Sequence, residues 1–466
     1  MIGGLVFPGV WLVQSAAERL AEARSGLDTP IAGRLMGLVG IAAMLGLAWL
    51  LSANRRRVNW RLVGMGVLLQ ALFGVVVLKT AFGRALFSGA NVAFTRLLGF
   101  TEEGARFIFG NLVRNNVPVG VPVGAPSDMA AITEPQSWAA TGAYFAFGVL
   151  PTIIFFSSLM SVLYYLGIMQ WVVRGIAWVM QRTMGTSGAE TLSAAGNIFV
   201  GQTEAPLLIK PFVGKMTYSE LNTVMVGGFA TIAGGVMAAY VGMLSPYFPE
   251  IAGHLLTASV MNAPAGLVIS KLLVPEVEEP VTKGTLKLEL ERREANVIDA
   301  AASGAAQGLQ LALNVAAMLL AFIALIALIN YGVGALGALL GYPGLSLQVI
   351  LGWILAPLAW LMGVPWADAD TVGALIGVKT VVNEFVAYLQ LAGTLESGGA
   401  LSPRAAIIAT YALLGFANFS SIAIQIGGIG GIAPERRSDL SRLGLRAMIG
   451  GNLAAFMSAS LAGMLV

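Results

Sequence analysis

Residues 196–206 read GNIFVGQTEAP, and residues 382–388 read VNEFVAY. Each run is a polar interruption carrying one glutamate, Glu204 or Glu384, inside a stretch that is otherwise apolar. Each is followed by a Gly-Phe-Ala patch. Gly228-Phe229-Ala230-Thr231-Ile232-Ala233 begins 24 residues after Glu204, and Gly415-Phe416-Ala417-Asn418-Phe419-Ser420-Ser421 begins 31 residues after Glu384. Interrupted segments at corresponding places in two halves of an apolar chain are the sequence sign of a transporter built from inverted repeats, with its site near the membrane midplane.

The physical reason lies in the backbone. Where a helix breaks inside hydrocarbon, its last carbonyls and first amides lose their intrahelical partners, and they must find a ligand, water or protein. Pro206 is suited to open the second arm of the first hairpin, because a missing N–H costs nothing in a first helical turn. Gln202, Thr203 and Glu204 are then expected at the unwound tip. A carboxylate within a bilayer costs some kilocalories per mole and is usually functional. The competing reading pairs Glu204 with Lys210 and Glu384 with Lys379 to hold the hairpins together, with Lys379 near a hairpin end where it snorkels toward water.

Composition agrees with a membrane protein. Of the 466 residues 57% are hydrophobic and 11% charged, with a mean hydropathy of +0.80, whereas soluble domains carry roughly a quarter charged residues. Stretches long enough to cross the hydrocarbon, about 20 helical residues, are read at 35–51, 62–78, 144–168, 221–244, 251–270, 309–329, 405–426 and 447–466. Residues 88–114, 186–213 and 345–396 are apolar but do not read as simple spans. Three spans separate the two breaks, and an odd number gives the halves opposite orientation.

Arg55, Arg56, Arg57 and Arg61 place the first loop in the cytoplasm, together with 276–294, read as a solvated connector, and Arg436, Arg437, Arg442 and Arg446. Both termini then lie outside. The Pro/Gly-rich run 117–135 reads as an external loop without regular structure, and residues 1–28 as a hydrophobic or interfacial N-terminal helix rather than a signal peptide.

The same composition excludes several functions. A net charge of +3 held in short loops reports topology and not nucleic-acid binding. With no cysteine and a single histidine, His254, which reads as a helix-end residue, there is no disulfide, thiolate nucleophile or two-histidine metal motif. Gly214-Lys215 is followed by Met216 where a phosphate-binding loop needs Ser or Thr. No resident cofactor is expected. An intramembrane enzyme using paired carboxylates as acid and base and a passive channel are the readings from other classes.

At this point the residues resemble the concentrative nucleoside transporter family, in its bacterial, sodium-coupled form, from about residue 35 to the end. The strings that carry the likeness are NIFVGQTEAP (197–206), IAGGV (232–236), ANVIDAAASGAAQGLQLALNV (295–315), NEFVAY (383–388) and GFANFSSIAI (415–424). The resemblance implies an all-α polytopic homotrimer in the inner membrane, each protomer with eight spans, two re-entrant hairpins and interfacial helices. It divides the chain into an N-terminal extension (1–34), a mainly scaffold region (35–185), a first transport half (186–275), a connector and sixth span belonging to the scaffold (276–335), and a second transport half (336–466). The transport domain would move as an elevator against the scaffold.

Residue by residue, the resemblance sets Gln202, Thr203, Glu204 and Val236 against the nucleobase. Glu384, Asn418 and Ser421 would hold the ribose, with Phe416 packing nearby and Leu311 an apolar contact beside sugar and base. Sodium, the coupling ion, would take the Asn197 side chain, the Val200 carbonyl, the Thr231 hydroxyl and the Ile232 carbonyl. Close members of the family carry serine at position 231, so threonine there is a departure that retains the hydroxyl; the N-terminal extension and a longer 115–140 loop also depart. The division is chemically reasonable, since sugar hydroxyls donate to a carboxylate and a base edge pairs with amide, hydroxyl and carboxylate groups. Proton-coupled symport, with Glu204 or Glu384 exchanging the proton, is the alternative.

Overall fold

The computed structural model describes residues 31–114, 116–119, 137–142, 144–284, 294–396 and 401–466. The helix expected over 1–28 and the middle of the connector, 285–293, lie outside these residues.

The chain opens with α1 (Ile31–Leu50), α2 (Trp60–Lys79) and α3 (Ala81–Phe109). Asn59 and Thr80 start the latter two, their side chains accepting from the amides of Leu62 and Gly83, as N-caps do. Strands β1 (Asn116–Val119) and β2 (Ser137–Ala140) pair antiparallel, Asn116 opposite Ala140. The start of the Pro/Gly-rich run is therefore a strand and not irregular loop, because Val117 and Val119 alternate with Asn116 and Pro118 in a β-compatible pattern; residues 120–136 lie outside those described.

A π-helical turn at Phe145–Val149 leads into α4 (Leu150–Tyr165), followed by the amphipathic α5 (Ile168–Met184). Next come α6 (Gly188–Gly196) and the short α7 (Lys210–Val213), then α8 (Tyr218–Ala230), α9 (Gly234–Leu244) and α10 (Ile251–Leu273). The second half holds α11 (Val297–Leu339), α12 (Leu347–Leu361), α13 (Ala369–Val381) and α14 (Glu384–Glu396). It closes with α15 (Pro403–Leu413), α16 (Phe419–Ile432) and α17 (Arg437–Leu465).

Among the described residues seven segments are long and apolar enough to cross a membrane: α1, α2, α4 with its π-turn, the α8–α9 pair, α10, α11 and α17. The eighth expected span, 405–426, is not one helix. It is split into α15 and α16 by residues 414–418, and the span expected at 221–244 is likewise split by residues 231–233. In the second break Gly415, at φ +108°, brings the chain so close that a methyl group there would stand 2.5 Å from the Phe229 carbonyl oxygen. Helix is lost at both Gly-Phe-Ala patches, and the two breaks lie against each other.

Burial sorts the spanning segments into two sets. Of the α8–α9 pair, α10 and α17, 83–89% is buried, whereas α1, α2, α4 and α11 bury only 22–33%. The inner set packs around α17, which touches α8, α10, α15 and α16. In the outer set α4 and α11 are pressed together through Gly304 and Gly308, where an added methyl group would lie 2.7 Å from the Ser157 carbonyl oxygen and from the Ile154 Cα respectively. Close backbone approach through small residues is how membrane helices associate where apolar burial gives no driving force.

At one end of the inner set two capping boxes meet. Ser187 and Glu190 open α6, Thr217 and Glu220 open α8, and in each the glutamate accepts from the cap's own amide. Lys271, 5% exposed near the end of α10, pairs with Glu190 at 2.7 Å and Glu276 at 3.2 Å and donates to Ser219 Oγ at 2.9 Å. Glu276 is therefore part of a half-buried ion cluster rather than of a solvated connector. His254 sits in the first turn of α10 and is buried among Phe87, Phe248 and Tyr411.

Candidate solute-binding site

The first polar motif breaks the chain after α6: residues 197–204 are non-helical, and a 3-10 turn at Ala205–Ile209, with Pro206 in its first turn, resumes the helix. The second breaks at Val382 and Asn383, between α13 and α14. Asn383 caps α14 by accepting from the Val386 amide at 2.9 Å. Both tips meet the broken spans. The Gly234 amide donates to the Phe199 carbonyl at 2.9 Å, and a methyl group on Gly228 would lie 2.9 Å from Gln202 Cβ, so the first tip rests on bare backbone.

The tips and the α16 start are joined by a chain of buried hydrogen bonds. Glu384, 5% exposed, accepts at one carboxylate oxygen from Tyr240 Oη at 3.1 Å and at the other from Asn418 Nδ2 at 2.8 Å. Asn418 caps α16, its Oδ1 accepting from the Ser421 amide at 2.9 Å and from Ser420 Oγ at 2.7 Å. Gln202 Nε2 donates to Ser421 Oγ at 3.2 Å, and Gln202 Oε1 accepts from Gln425 Nε2 at 3.0 Å. Gln202, Glu384, Asn418 and Ser421, more than two hundred residues apart at the extremes, thus form one network. Phe416 is half-buried beside it.

Glu204 lies apart from this network and on open space. It lines a cavity of about 850 Å³ with Val200, Gly201, Leu311, Tyr164, Lys210 and residues of the α11 start, and Thr203 Oγ1 donates to its carboxylate at 3.0 Å. Gly234 and Gly235 reach the same wall, and Val236 follows them, buried. Sequence-predicted Leu311 and Glu204 therefore share a cavity, while Glu384 and its partners stand in the adjoining core.

Neither glutamate pairs with its neighbouring lysine among the described contacts. Lys379 does not snorkel: it is 0% exposed and donates to the carbonyls of Ala412 at 2.9 Å and Leu414 at 3.3 Å, with its ammonium 5.6 Å from the Phe456 ring centre. A cation at the last turn of α15 is favoured by the exposed carbonyls and the helix dipole, which explains why burial wins over escape to water.

Of the residues expected to hold sodium, Asn197 and Thr231 both lie against Gly227. Asn197 is fully buried, and neither its Oδ1 nor its Nδ2 has a hydrogen-bond partner among the described atoms. A methyl group on Gly227 would lie 3.3 Å from that Nδ2, and Thr231 Oγ1 donates to the Gly227 carbonyl at 2.9 Å. Val200 and Ile232 stand in non-helical segments, 197–204 and 231–233. A buried amide without a partner costs about 1–3 kcal/mol, and an amide oxygen is a ligand type that suits a hard cation.

Two contributors were missed in the sequence, Tyr240 and Gln425, both 0% exposed. A tyrosine in an apolar helix reads as packing, so Tyr240 gave no signal; Gln425, a lone amide in the apolar run of α16, gave one. Outside the spans, Tyr247 beyond α9 has its phenol pushed up to about 12 by burial and by a hydrogen bond with Glu396, which ties the ends of α9 and α14 together.

Comparison with known proteins identifies the family. The family profile "Na+ dependent nucleoside transporter C-terminus" matches residues 254–463, its N-terminal counterpart matches 39–112, and "Nucleoside recognition" matches 146–247. The chain is 45% identical to the uncharacterized transporter YutK of Bacillus subtilis, covering 93% of this chain and 99% of that one. It is 41% identical to Solute carrier family 28 member 3 of Eptatretus stoutii over 98% of this chain, and spans only 62% of that relative's length. The solved structure of CNTnw in an inward-facing substrate-bound state is similar at a TM-score of 0.81 and 44% identity, covering 92% of this chain and 97% of that one. A doubly substituted CNTnw in an outward-facing state gives a TM-score of 0.84 at 43% identity, covering 94% and 99%. The relatives of this chain are transporters and not enzymes, and with its apolar helices the chain is a multi-pass membrane transporter. The chain belongs to the concentrative nucleoside transporter family.

Proposed function

We propose that this protein carries nucleosides into the cell in symport with sodium, and that the bound solute lies where the two helix breaks meet. The observation that carries the reading is the buried chain from Glu384 through Asn418 and Ser421 to Gln202, which joins both hairpin tips beside a cavity lined by Glu204. Gln202, Thr203 and Glu204, with Val236, take the nucleobase. Glu384, Asn418 and Ser421 take the ribose, with Phe416 and Leu311 as its apolar walls. A nucleoside seated across them replaces the Gln202–Ser421 bond with bonds of its own, so the polar groups remain satisfied.

Sodium is bound at Asn197 and Val200, on the same segment that bears Gln202 to Glu204, and at Thr231 and Ile232 in the break between α8 and α9. Ion binding orders that segment and completes the solute site. The moving body is α8, α9, α10, α15, α16 and α17 with the two hairpins, and α1, α2, α4 and α11 are the scaffold of a homotrimer in the inner membrane; the burial of 83–89% for the α8–α9 pair, α10 and α17 against 22–33% for α1, α2, α4 and α11 supports this division. The lipid bilayer is the other partner.

The test is radiolabelled uridine uptake into proteoliposomes with sodium and proton gradients imposed separately. Uptake against a gradient driven by sodium at constant pH is expected. Uptake driven only by protons replaces the reading with proton symport through Glu204 or Glu384, and recovery of chemically altered uridine would make the protein an enzyme.

A further inference from the structure

Gly234 and Phe419 are the first residues of the helices that follow the two span breaks, and Tyr240 and Gln425 are each the seventh residue of those helices. Both are fully buried, and both side chains reach across to the opposite half of the chain. Tyr240, in the first half, donates to Glu384 of the second hairpin at 3.1 Å. Gln425, in the second half, donates to Gln202 of the first hairpin at 3.0 Å.

We infer that Tyr240 and Gln425 are equivalent positioning residues, each fixing the recognition side chain of the opposite repeat. The inference rests on the proposed roles of Glu384 and Gln202. Tyr240 is itself held: its ring stacks on Tyr388 at 4.4 Å between centres and meets Phe385 edge-on at 5.2 Å. Tyr388 is anchored by its hydroxyl on the Thr410 carbonyl at 2.7 Å. The Tyr240 hydroxyl therefore has one place to point, and it occupies one oxygen of Glu384 while Asn418 holds the other. The carboxylate is turned by its two donors and presents only its remaining lone pairs to a sugar hydroxyl.

Gln425 acts on an amide instead of a carboxylate. Its Nε2 is shared between Gln202 Oε1 and the Met225 carbonyl at 3.1 Å, so a backbone atom of α8 fixes the donor. With Oε1 of Gln202 committed as an acceptor from Gln425, its Nε2 is turned to the Ser421 side. Gln425 thereby decides which end of the Gln202 amide faces the base, and so which base edge the pocket matches.

Tyr240→Phe and Gln425→Met remove the polar atoms and nearly conserve volume, a change that cores tolerate well. They are independent, so if one variant does not reconstitute the other still decides. In proteoliposomes, competition of labelled uridine uptake by 3′-deoxyuridine and by cytidine separates the two effects. Tyr240→Phe is expected to shrink the preference for uridine over 3′-deoxyuridine by about tenfold, the size of one hydrogen bond to a charged group, and to leave the uridine-to-cytidine ratio unchanged. Gln425→Met is expected to shift the uridine-to-cytidine ratio by about fivefold and leave the sugar preference intact. Tyr388→Phe, which keeps the stacked ring and the Tyr240 hydroxyl and loses only the anchor on the Thr410 carbonyl, is expected to move the sugar preference less than Tyr240→Phe does and to leave the uridine-to-cytidine ratio unchanged.

Equal loss for every solute, no change in either ratio, or the same shift from Tyr388→Phe overturns the inference. Glu384→Gln tests the reading beneath it. If that variant keeps its discrimination against 3′-deoxyuridine, the ribose assignment fails; if it loses it and Tyr240→Phe does not, only the positioning role fails.

Discussion

Asn197 and Lys379 show how two buried polar residues, alike in being wholly enclosed, come to opposite ends. The Lys379 ammonium is satisfied by the carbonyls that terminate α15. Lys379→Met leaves those carbonyls without a donor, and a loss of about 1–3 kcal/mol is expected, read as a lower thermal midpoint in detergent. The Asn197 amide has no such partner among the described residues. Asn197→Ala is expected to raise the sodium concentration for half-maximal uridine uptake by about tenfold or more, since a coordinating oxygen contributes at least the worth of a hydrogen bond. An unchanged sodium dependence would remove Asn197 from the ion site. At this scale the sequence exposed the polar side chains in apolar surroundings, Gln202, Glu204, Glu384 and Lys379 among them. It did not disclose their partners, because which carbonyl a lysine finds depends on the crossing of distant helices.

Between residue and fold stand the helix ends and helix contacts. Ser187-x-x-Glu190 and Thr217-x-x-Glu220 are legible as capping boxes from spacing alone; that Lys271 joins them is not, because α10 arrives from fifty residues downstream. Lys271→Met strands Glu190 and Glu276 without their cation, and breaking such a buried pair costs about 3–5 kcal/mol. The double variant with Glu190→Gln is expected to recover part of that loss in thermal midpoint, and simple additivity would show that the two do not interact. On α11, Gly308→Ile should abolish stable assembly of α4 on α11, while Gly332→Ala, with open space around it, should leave the protein's thermal midpoint unchanged. The broken spans at 231–233 and 414–418 were only half legible: the Gly-Phe-Ala patches marked polar weakness in the helices, but apolar length on both sides made continuous spans the simpler reading.

For the molecule as a whole, the proposed ion and solute sites share residues 197–204, and their binding would then be linked. Linkage requires that sodium raise nucleoside affinity by the same factor by which nucleoside raises sodium affinity. Calorimetric titration of each ligand with and without the other checks this, and unequal factors or nucleoside affinity indifferent to sodium would rule out a shared segment. The overall plan was the most legible part, because two interrupted motifs separated by three spans already imply opposed halves. The contrast between enclosed and exposed spans was less so: α11 and α10 are both apolar by composition, and only packing decides which is inside.

The reciprocal bracing through Tyr240 and Gln425 restricts how such a protein changes its preferences over generations. A half borrowed from a relative with different tastes would bring its own hairpin but leave that hairpin's support behind in the discarded partner. Exchange of whole repeats is then a poor route to new substrates, and substitutions arriving in pairs, one in each half of the chain, are the productive one.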